Sequence, residues 1–202
     1  EHSMELLVTK KAPDFTAKAV LGDNSIVDFN LYGNLGENGA VVFFYPMDFT
    51  FVCPSELIAF DHRLKEFTDR GIAVIGVSCD SEFTHLAWKN TPVEKGGVGA
   101  LQYPLVADTT KAIAKDFGVL LEAGVALRGS FLIDKDGTVR HSVINDLPLG
   151  RNVDEMIRMV DAMLFTNKYG EVCPAGWHKG EKGMQASPDG VAKYLSENAA
   201  KL

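Results

Sequence analysis

The hydrophobic and polar positions of this chain switch repeatedly between two patterns. AVVFFY, residues 40 to 45, is an unbroken apolar run rich in β-branched and aromatic side chains, as expected of a strand covered on both faces. In PSELIAFDHRLKEFTDR, residues 54 to 70, Leu57, Phe60, Leu64 and Phe67 recur at intervals of three and four, which is one face of a helix. Gly71 closes that pattern, and IAVIGVS, residues 72 to 78, returns to a buried-strand run. Strand, helix and strand with short joins make a βαβ unit, whose strands are expected to be parallel. A second helix is predicted over residues 81 to 90, with Ser81 as its N-cap. After a loop holding GGVG, residues 96 to 99, come a short strand near Tyr103 to Val106 and a helix from Thr109 to Phe117. SFLID and TVRHSVIN flank KDG, a hairpin loop in which Gly137 supplies positive φ. A helix over residues 152 to 168 follows.

Parallel strands followed by an antiparallel hairpin and a helix predict an α/β domain of the thioredoxin-like type, over residues 5 to 168. From Tyr169 the character changes. YGEVCPAGWHKGEKGMQASPDG is rich in Gly, Pro and Lys and poor in core-forming residues. A short terminal helix follows, capped by Ser187 with Pro188 at its first position. Residues 169 to 202 cannot make a core alone, so they are expected to form an arm that packs on something else, a second subunit being one choice. There is no internal repeat and no low-complexity tract.

At 202 residues the chain is long enough to bury a real core, and 46% hydrophobic with 23% charged residues is the composition of a globular protein. The formal charge of −7 argues against a duplex-binding surface and supplies no basic patch for anionic lipid. Neither nucleic acid nor membrane is therefore expected as a partner. No apolar run approaches the roughly 18–20 residues that cross a bilayer, and EHSMELLVTK lacks the regions of a secretory signal. Glu1-His2-Ser3 reads as a remnant of expression, with Met4 the native start. Three cysteines, Cys53, Cys79 and Cys173, are too few and scattered for a secreted disulfide scaffold, and there is no C-x-x-C. The histidines His2, His62, His85, His141 and His178 never fall at metal-ligand spacing, so no metal is expected. A cytoplasmic protein with specialised thiols fits these counts. One with inert thiols is the alternative.

FYPMDFTFVCPSE, residues 43 to 55, is where the chemistry concentrates. Pro54 is tolerated at a first helical position, because its missing N–H would be unsatisfied there anyway. Cys53 then sits at a helix N-terminus, where free N–H groups and the macrodipole favour an anion. The anion of cysteine is the nucleophilic form. A small apolar residue packed at a strand end is an equally good reading of position alone. Thr50 tilts the balance, since its hydroxyl can face the sulfur across the loop.

Here the residues match a family. P-x-x-x-T-x-x-C, present as Pro46, Thr50 and Cys53, resembles the peroxiredoxin signature, and the wider string is similar to the typical two-cysteine, AhpC-like branch. The resemblance runs from about Lys11 to the end of the chain. It implies a thioredoxin-like fold with a peroxiredoxin N-terminal extension and a C-terminal arm. It also implies a cofactor-free peroxidase in which Cys53 attacks hydroperoxide and becomes a sulfenic acid. An ordinary thiol is only a few per cent ionised at pH 7; tuning one to a pKa near 6 raises that about thirtyfold, or ~2 kcal/mol. Enzymes commonly lower barriers by ~8 kcal/mol or more. Polarising the O–O bond must then be the larger task. In ALRGSFLID the resemblance places the active-site arginine at Arg128, a residue whose usual fate is the surface. It makes Glu56 the acid that orients Arg128, Arg151 a supporting arginine, and Pro46 a shield against water.

Cys173, in EVCPAGWH, matches the family's resolving cysteine, which would attack the Cys53 sulfenic acid and form a disulfide. The resemblance implies partners from opposite subunits of an antiparallel dimer; the residues alone leave an intrachain bond open. Both segments would have to move, since a disulfide needs Cα atoms within about 7 Å. GGVG lacks the Lys-Ser/Thr of a phosphate loop. It resembles the Gly-Gly-Leu-Gly of peroxiredoxins prone to overoxidation, whose partner Tyr-Phe appears here as Tyr194-Leu195, so intermediate sensitivity is expected. Cys79 has no family role and reads as a buried inert thiol. Thioredoxin or an AhpF-like flavoprotein reductase would recycle the disulfide, and the family suggests a homodimer assembling into a ring of five dimers. An oligomeric holdase chaperone is the rival reading. A general disulfide reductase is disfavoured by the missing C-x-x-C.

Overall fold

A computed structural model of the chain describes residues 6–202. Met4 as native start, and His2 among the histidines, lie outside the described residues. The chain divides into two compact units, Glu1–Val153 and Asp154–Leu202.

The first unit is built on a seven-stranded sheet. Its strands are β1 (Thr16–Val20), β2 (Ile26–Asn30), β3 (Gly39–Phe44), β4 (Ile72–Ser78), β5 (Leu105–Ala107), β6 (Arg128–Asp134) and β7 (Val139–Asn145). They lie in the order β2-β1-β5-β4-β3-β6-β7. β3 pairs parallel with β4, and β4 with β5, as the βαβ pattern requires. β6 runs antiparallel to both β3 and β7. Every residue of β3 is buried, which explains its unbroken apolar run. Phe44, Phe117 and Phe131 pack with ring centroids 5.1 to 5.9 Å apart in the core. Gly137 takes φ of 89° in the β6–β7 turn, where a Cβ would also strike the Tyr32 ring.

Three local expectations shift. The helix read over 54 to 70 is two helices, α1 (Cys53–His62) and α2 (Leu64–Asp69), broken at Arg63 with φ of −105° and ψ of 6°. The apolar face survives the break, with Phe60 and Phe67 rings 5.9 Å apart. Ser81 caps α3 (Glu82–Lys89) by accepting from Thr84 N, but α4 (Ala112–Asp116) starts later than Thr109. Lys111 is in the left-handed region, and the Asp108 carboxylate accepts from Ile113 N and Ala114 N, so the cap comes from before the turn. The β1–β2 hairpin was not foreseen from the pattern. TAKAV and IVDFN carry weak alternation, and their pairing relies on a turn in which Asp23 accepts from Ser25 N and Ser25 Oγ.

The second unit holds α5 (Val153–Tyr169), the arm and α6 (Pro188–Asn198). Ser187 caps α6 by accepting from Gly190 N. Trp177 is buried with its ring 4.7 Å from Phe165, and Arg158 Nη1 donates to the Trp177 carbonyl. These contacts group α5 with the arm, whereas the shift in composition after Lys168 marks only where that helix stops.

Candidate active site

Strand β3 ends at Phe44 and α1 begins at Cys53; the loop between them carries Pro46 and Thr50. Pro54 occupies the first turn of α1, as its fixed φ allows. The Cys53 side chain is fully enclosed, and two groups reach its sulfur. Thr50 Oγ1 lies 3.2 Å from Sγ and 2.7 Å from the Met47 carbonyl. The hydroxyl has one proton for two acceptors, so it serves the carbonyl or the sulfur but not both at once. From the far side Arg128 Nη1 donates to Sγ at 3.3 Å.

Arg128 opens β6, and its guanidinium is fixed at both ends. Nη1 also donates to Glu56 Oε1 at 2.6 Å, and Nε to the Leu147 carbonyl at 2.6 Å. Burial pulls the Arg128 pKa down, but bonding to the Cys53 sulfur and the Glu56 carboxylate outweighs it and leaves the pKa above the usual arginine value. Glu56, one turn into α1, is shared by a second guanidinium. Arg151 Nε donates to Oε2 at 2.8 Å, Nη2 to Oε1 at 3.1 Å, and Arg151 N to Oε2 at 2.9 Å. Arg151 also lies over the Phe43 ring at 5.0 Å. Two guanidinium groups against one carboxylate leave a single positive charge in a water-excluded space.

Of the residues singled out in the sequence, the fold thus brings Cys53, Thr50, Glu56, Arg128 and Arg151 together, with Pro46 half-buried at the start of the same loop. Cys173 lies in the second unit, half-buried on α5, where Sγ is 3.6 Å from the Ala162 carbonyl and 3.7 Å from Thr166 Oγ1. Cys79 is half-buried at the end of β4; burial, helped by Asp108, pushes its thiol up to about 11. That suits an inert thiol. In GGVG, a Cβ on Gly97 would sit 1.9 Å from the Thr91 carbonyl oxygen, so this glycine answers a close backbone approach.

The pattern gave no hint of Asp48, Asp80 and His85, whose ligand-type atoms lie within 4.8 Å of one another. His85 Nδ1 faces Asp48, and Nε2 faces the Val106 carbonyl, so neither ring nitrogen is left for a cation. The sequence signal was only that Asp48 interrupts the signature loop with a charge.

Residues 8–142 match the model of the AhpC/TSA family, and residues 162–197 match that of the C-terminal domain of 1-Cys peroxiredoxin. The second segment here nonetheless contains Cys173. Alkyl hydroperoxide reductase C of Helicobacter pylori is 64% identical over 198 residues, 98% of this chain and 100% of that protein. Peroxiredoxin-1 of Gallus gallus is 50% identical over 196 residues, covering 96% of this chain and 98% of that one. The reduced 2-Cys peroxiredoxin of Plasmodium vivax superposes with a TM-score of 0.93 at 49% identity, covering 95% of this chain and 100% of that one.

Proposed function

The chain belongs to the AhpC/TSA family and is a peroxidase of the two-cysteine peroxiredoxin type; from that premise we propose that Cys53 is the sulfur that reduces hydroperoxides and Cys173 the sulfur that regenerates it. The observation that carries the reading is one nitrogen, Arg128 Nη1, held within 3.3 Å of Cys53 Sγ and 2.6 Å of Glu56 Oε1. It marks where negative charge is accommodated before any substrate arrives.

In the first step the Cys53 sulfur anion attacks the nearer oxygen of the hydroperoxide. An S–O bond forms as the O–O bond breaks, and the departing oxygen takes a proton to leave as water or an alcohol. Thr50 orients the peroxide through its hydroxyl, and Arg128 meets the charge that builds on the breaking bond. Glu56 and Arg151 hold Arg128 in place, and Pro46 limits water. In the second step the Cys173 thiol attacks the sulfenic acid; a disulfide forms and the hydroxyl leaves as water. A dithiol reductant then returns both sulfurs, and thioredoxin or an AhpF-like flavoprotein reductase fits that chemistry.

The disulfide joins two subunits of a homodimer. Exposed apolar side chains on the loop, among them Phe49 at 51% and Phe51 at 96%, support burial of this loop in a ring of five dimers. A cytoplasmic setting, where a reducing pool keeps thiols cycling, suits the mechanism. Substrates are hydrogen peroxide and organic hydroperoxides, with peroxynitrite chemically equivalent at the sulfur.

Non-reducing electrophoresis before and after one equivalent of peroxide tests the pairing. A band at twice the chain mass should appear, and it should vanish in both Cys53→Ser and Cys173→Ser. A disulfide confined to the single-chain band would replace the intersubunit pairing with an intrachain one.

A further inference from the structure

Beneath the signature loop lies a buried polar cluster that the steps above do not use. Asp48 is 3% exposed and His85 is fully enclosed. Tyr45 OH donates to Asp48 Oδ1 at 2.7 Å, and His85 Nδ1 lies 2.6 Å from Asp48 Oδ2. Asp48 N donates to Asp80 Oδ2 at 2.9 Å, and the same oxygen accepts from Ser78 Oγ at 2.6 Å. His85 Nε2 lies 3.0 Å from the Val106 carbonyl. A carbonyl only accepts, so Nε2 carries hydrogen and the short Nδ1–Asp48 contact holds a further proton. Whichever atom carries it, the pair is net neutral and strongly bonded.

These anchors come from the end of β3, the end of β4 and from α3, and they converge on one loop residue. The next residue, Phe49, has φ of 60°, a region that an aromatic L-residue rarely enters. Such a conformation persists only where its surroundings dictate it. Its ring lies 6.1 Å from Trp88 on α3, the helix that supplies His85. One residue further is Thr50, whose hydroxyl stands 3.2 Å from the sulfur.

We propose that the Asp48–His85 pair, steadied by Tyr45, is a brace that fixes the left-handed turn at Phe49 and so sets the Thr50 hydroxyl against Cys53. His85 and Asp48 are then positioning residues for the peroxide step, and the proposal rests on the peroxidase reading of Cys53. The bond that matters is the one from Nδ1 to Asp48, not the one from Nε2 to Val106.

Two variants separate those bonds. His85→Asn retains an amide N–H near the Nδ1 position, and His85→Gln retains one near Nε2. Each is compared with wild type by the rate of Cys53 oxidation by hydrogen peroxide in a single turnover, and by the rate of alkylation with iodoacetamide. Alkylation needs a reactive sulfur but no peroxide alignment. In His85→Gln the peroxide rate should fall on the order of 10- to 100-fold, as for a misplaced reacting group. Its alkylation rate should stay near wild type, and His85→Asn should recover most of the peroxide rate. An unchanged peroxide rate in His85→Gln, a parallel fall in both rates, or an equal loss in His85→Asn would each overturn the brace. If His85→Gln does not fold, Tyr45→Phe decides instead. Slower peroxide reaction with normal alkylation supports the proposal, and an unchanged peroxide rate removes it. Wild-type protein inert to peroxide in the same run would strike the peroxidase reading itself.

Discussion

Glu56 holds one negative charge against two guanidinium groups, and its side chain is 2% exposed. Removing one partner from such a set leaves an uncompensated buried charge, at about 3–5 kcal/mol. Glu56→Gln should therefore lower stability by about that amount in urea unfolding, and should slow peroxide reaction because Arg128 exchanges its charge-assisted 2.6 Å bond for a weaker bond to a neutral amide oxygen. Arg128→Met tests the division of labour between making an anion and splitting the oxidant. Fully ionising an ordinary thiol at neutral pH is worth about thirtyfold at most, so a loss well beyond that is expected in stopped-flow oxidation. Raising the pH should not restore it; full recovery would mean that ionisation was the main effect. Cys79, pushed up to about 11, is almost entirely protonated at neutral pH. Cys79→Ser should leave peroxide turnover within about twofold of wild type.

At the scale of elements, the proposed resolving step depends on α5 and the arm, which hold Cys173. Its sulfur rests against the Ala162 carbonyl, and the arm is tied down by Trp177 against Phe165 and by a bridge between Val172 and Met184. Resolution requires those contacts to open locally. In Cys173→Ser the first peroxide turnover should persist while reductant-driven cycling stops; sustained cycling would remove Cys173 from the mechanism. The proposed mechanism gives the arm a part in overoxidation as well. α6 buries none of its residues within the chain, and it carries Tyr194-Leu195 rather than Tyr-Phe. Under graded peroxide, mass spectrometry should find Cys53 sulfinic acid at doses between those of fully sensitive and fully robust relatives. The α3–loop contact has its own pH signature. Burial raises the Asp48 pKa; burial alone would lower that of His85, but the bond to Asp48 outweighs it and raises it. A group whose folded pKa is raised stabilises most below its unfolded value and loses that contribution as pH climbs through the folded one. Facing the pair are Asp80, bonded to Asp48 N, and Tyr45, whose pKa burial raises well above the usual phenol value so that it stays neutral over this range. The stability gap between wild type and His85→Gln should thus be larger near pH 6 than near pH 9.

For the whole molecule, periodicity and spacing made the central βαβ unit, the hairpin and both capped helices legible, because burial on two faces and helix caps leave local marks. The signature loop was legible too, since a cysteine before proline with threonine three residues earlier is a local arrangement. What the chain by itself could not reveal is which distant groups meet. Arg128 and Arg151 lie 72 and 95 residues from Glu56, yet both share its one buried carboxylate. Asp48 and His85, 37 residues apart, look like an ordinary loop acid and an ordinary helix histidine until β3, β4 and α3 close over them. The break at Arg63 and the late start of α4 were also decided by packing, because an external carboxylate or a single irregular residue overrides intrinsic helix preference. Sequence determined Cys53 as the candidate nucleophile and most of the elements, whose causes are short-range. Tertiary structure determined the charge balance around the sulfur, because long-range ion pairs exist only once the sheet has brought their partners together.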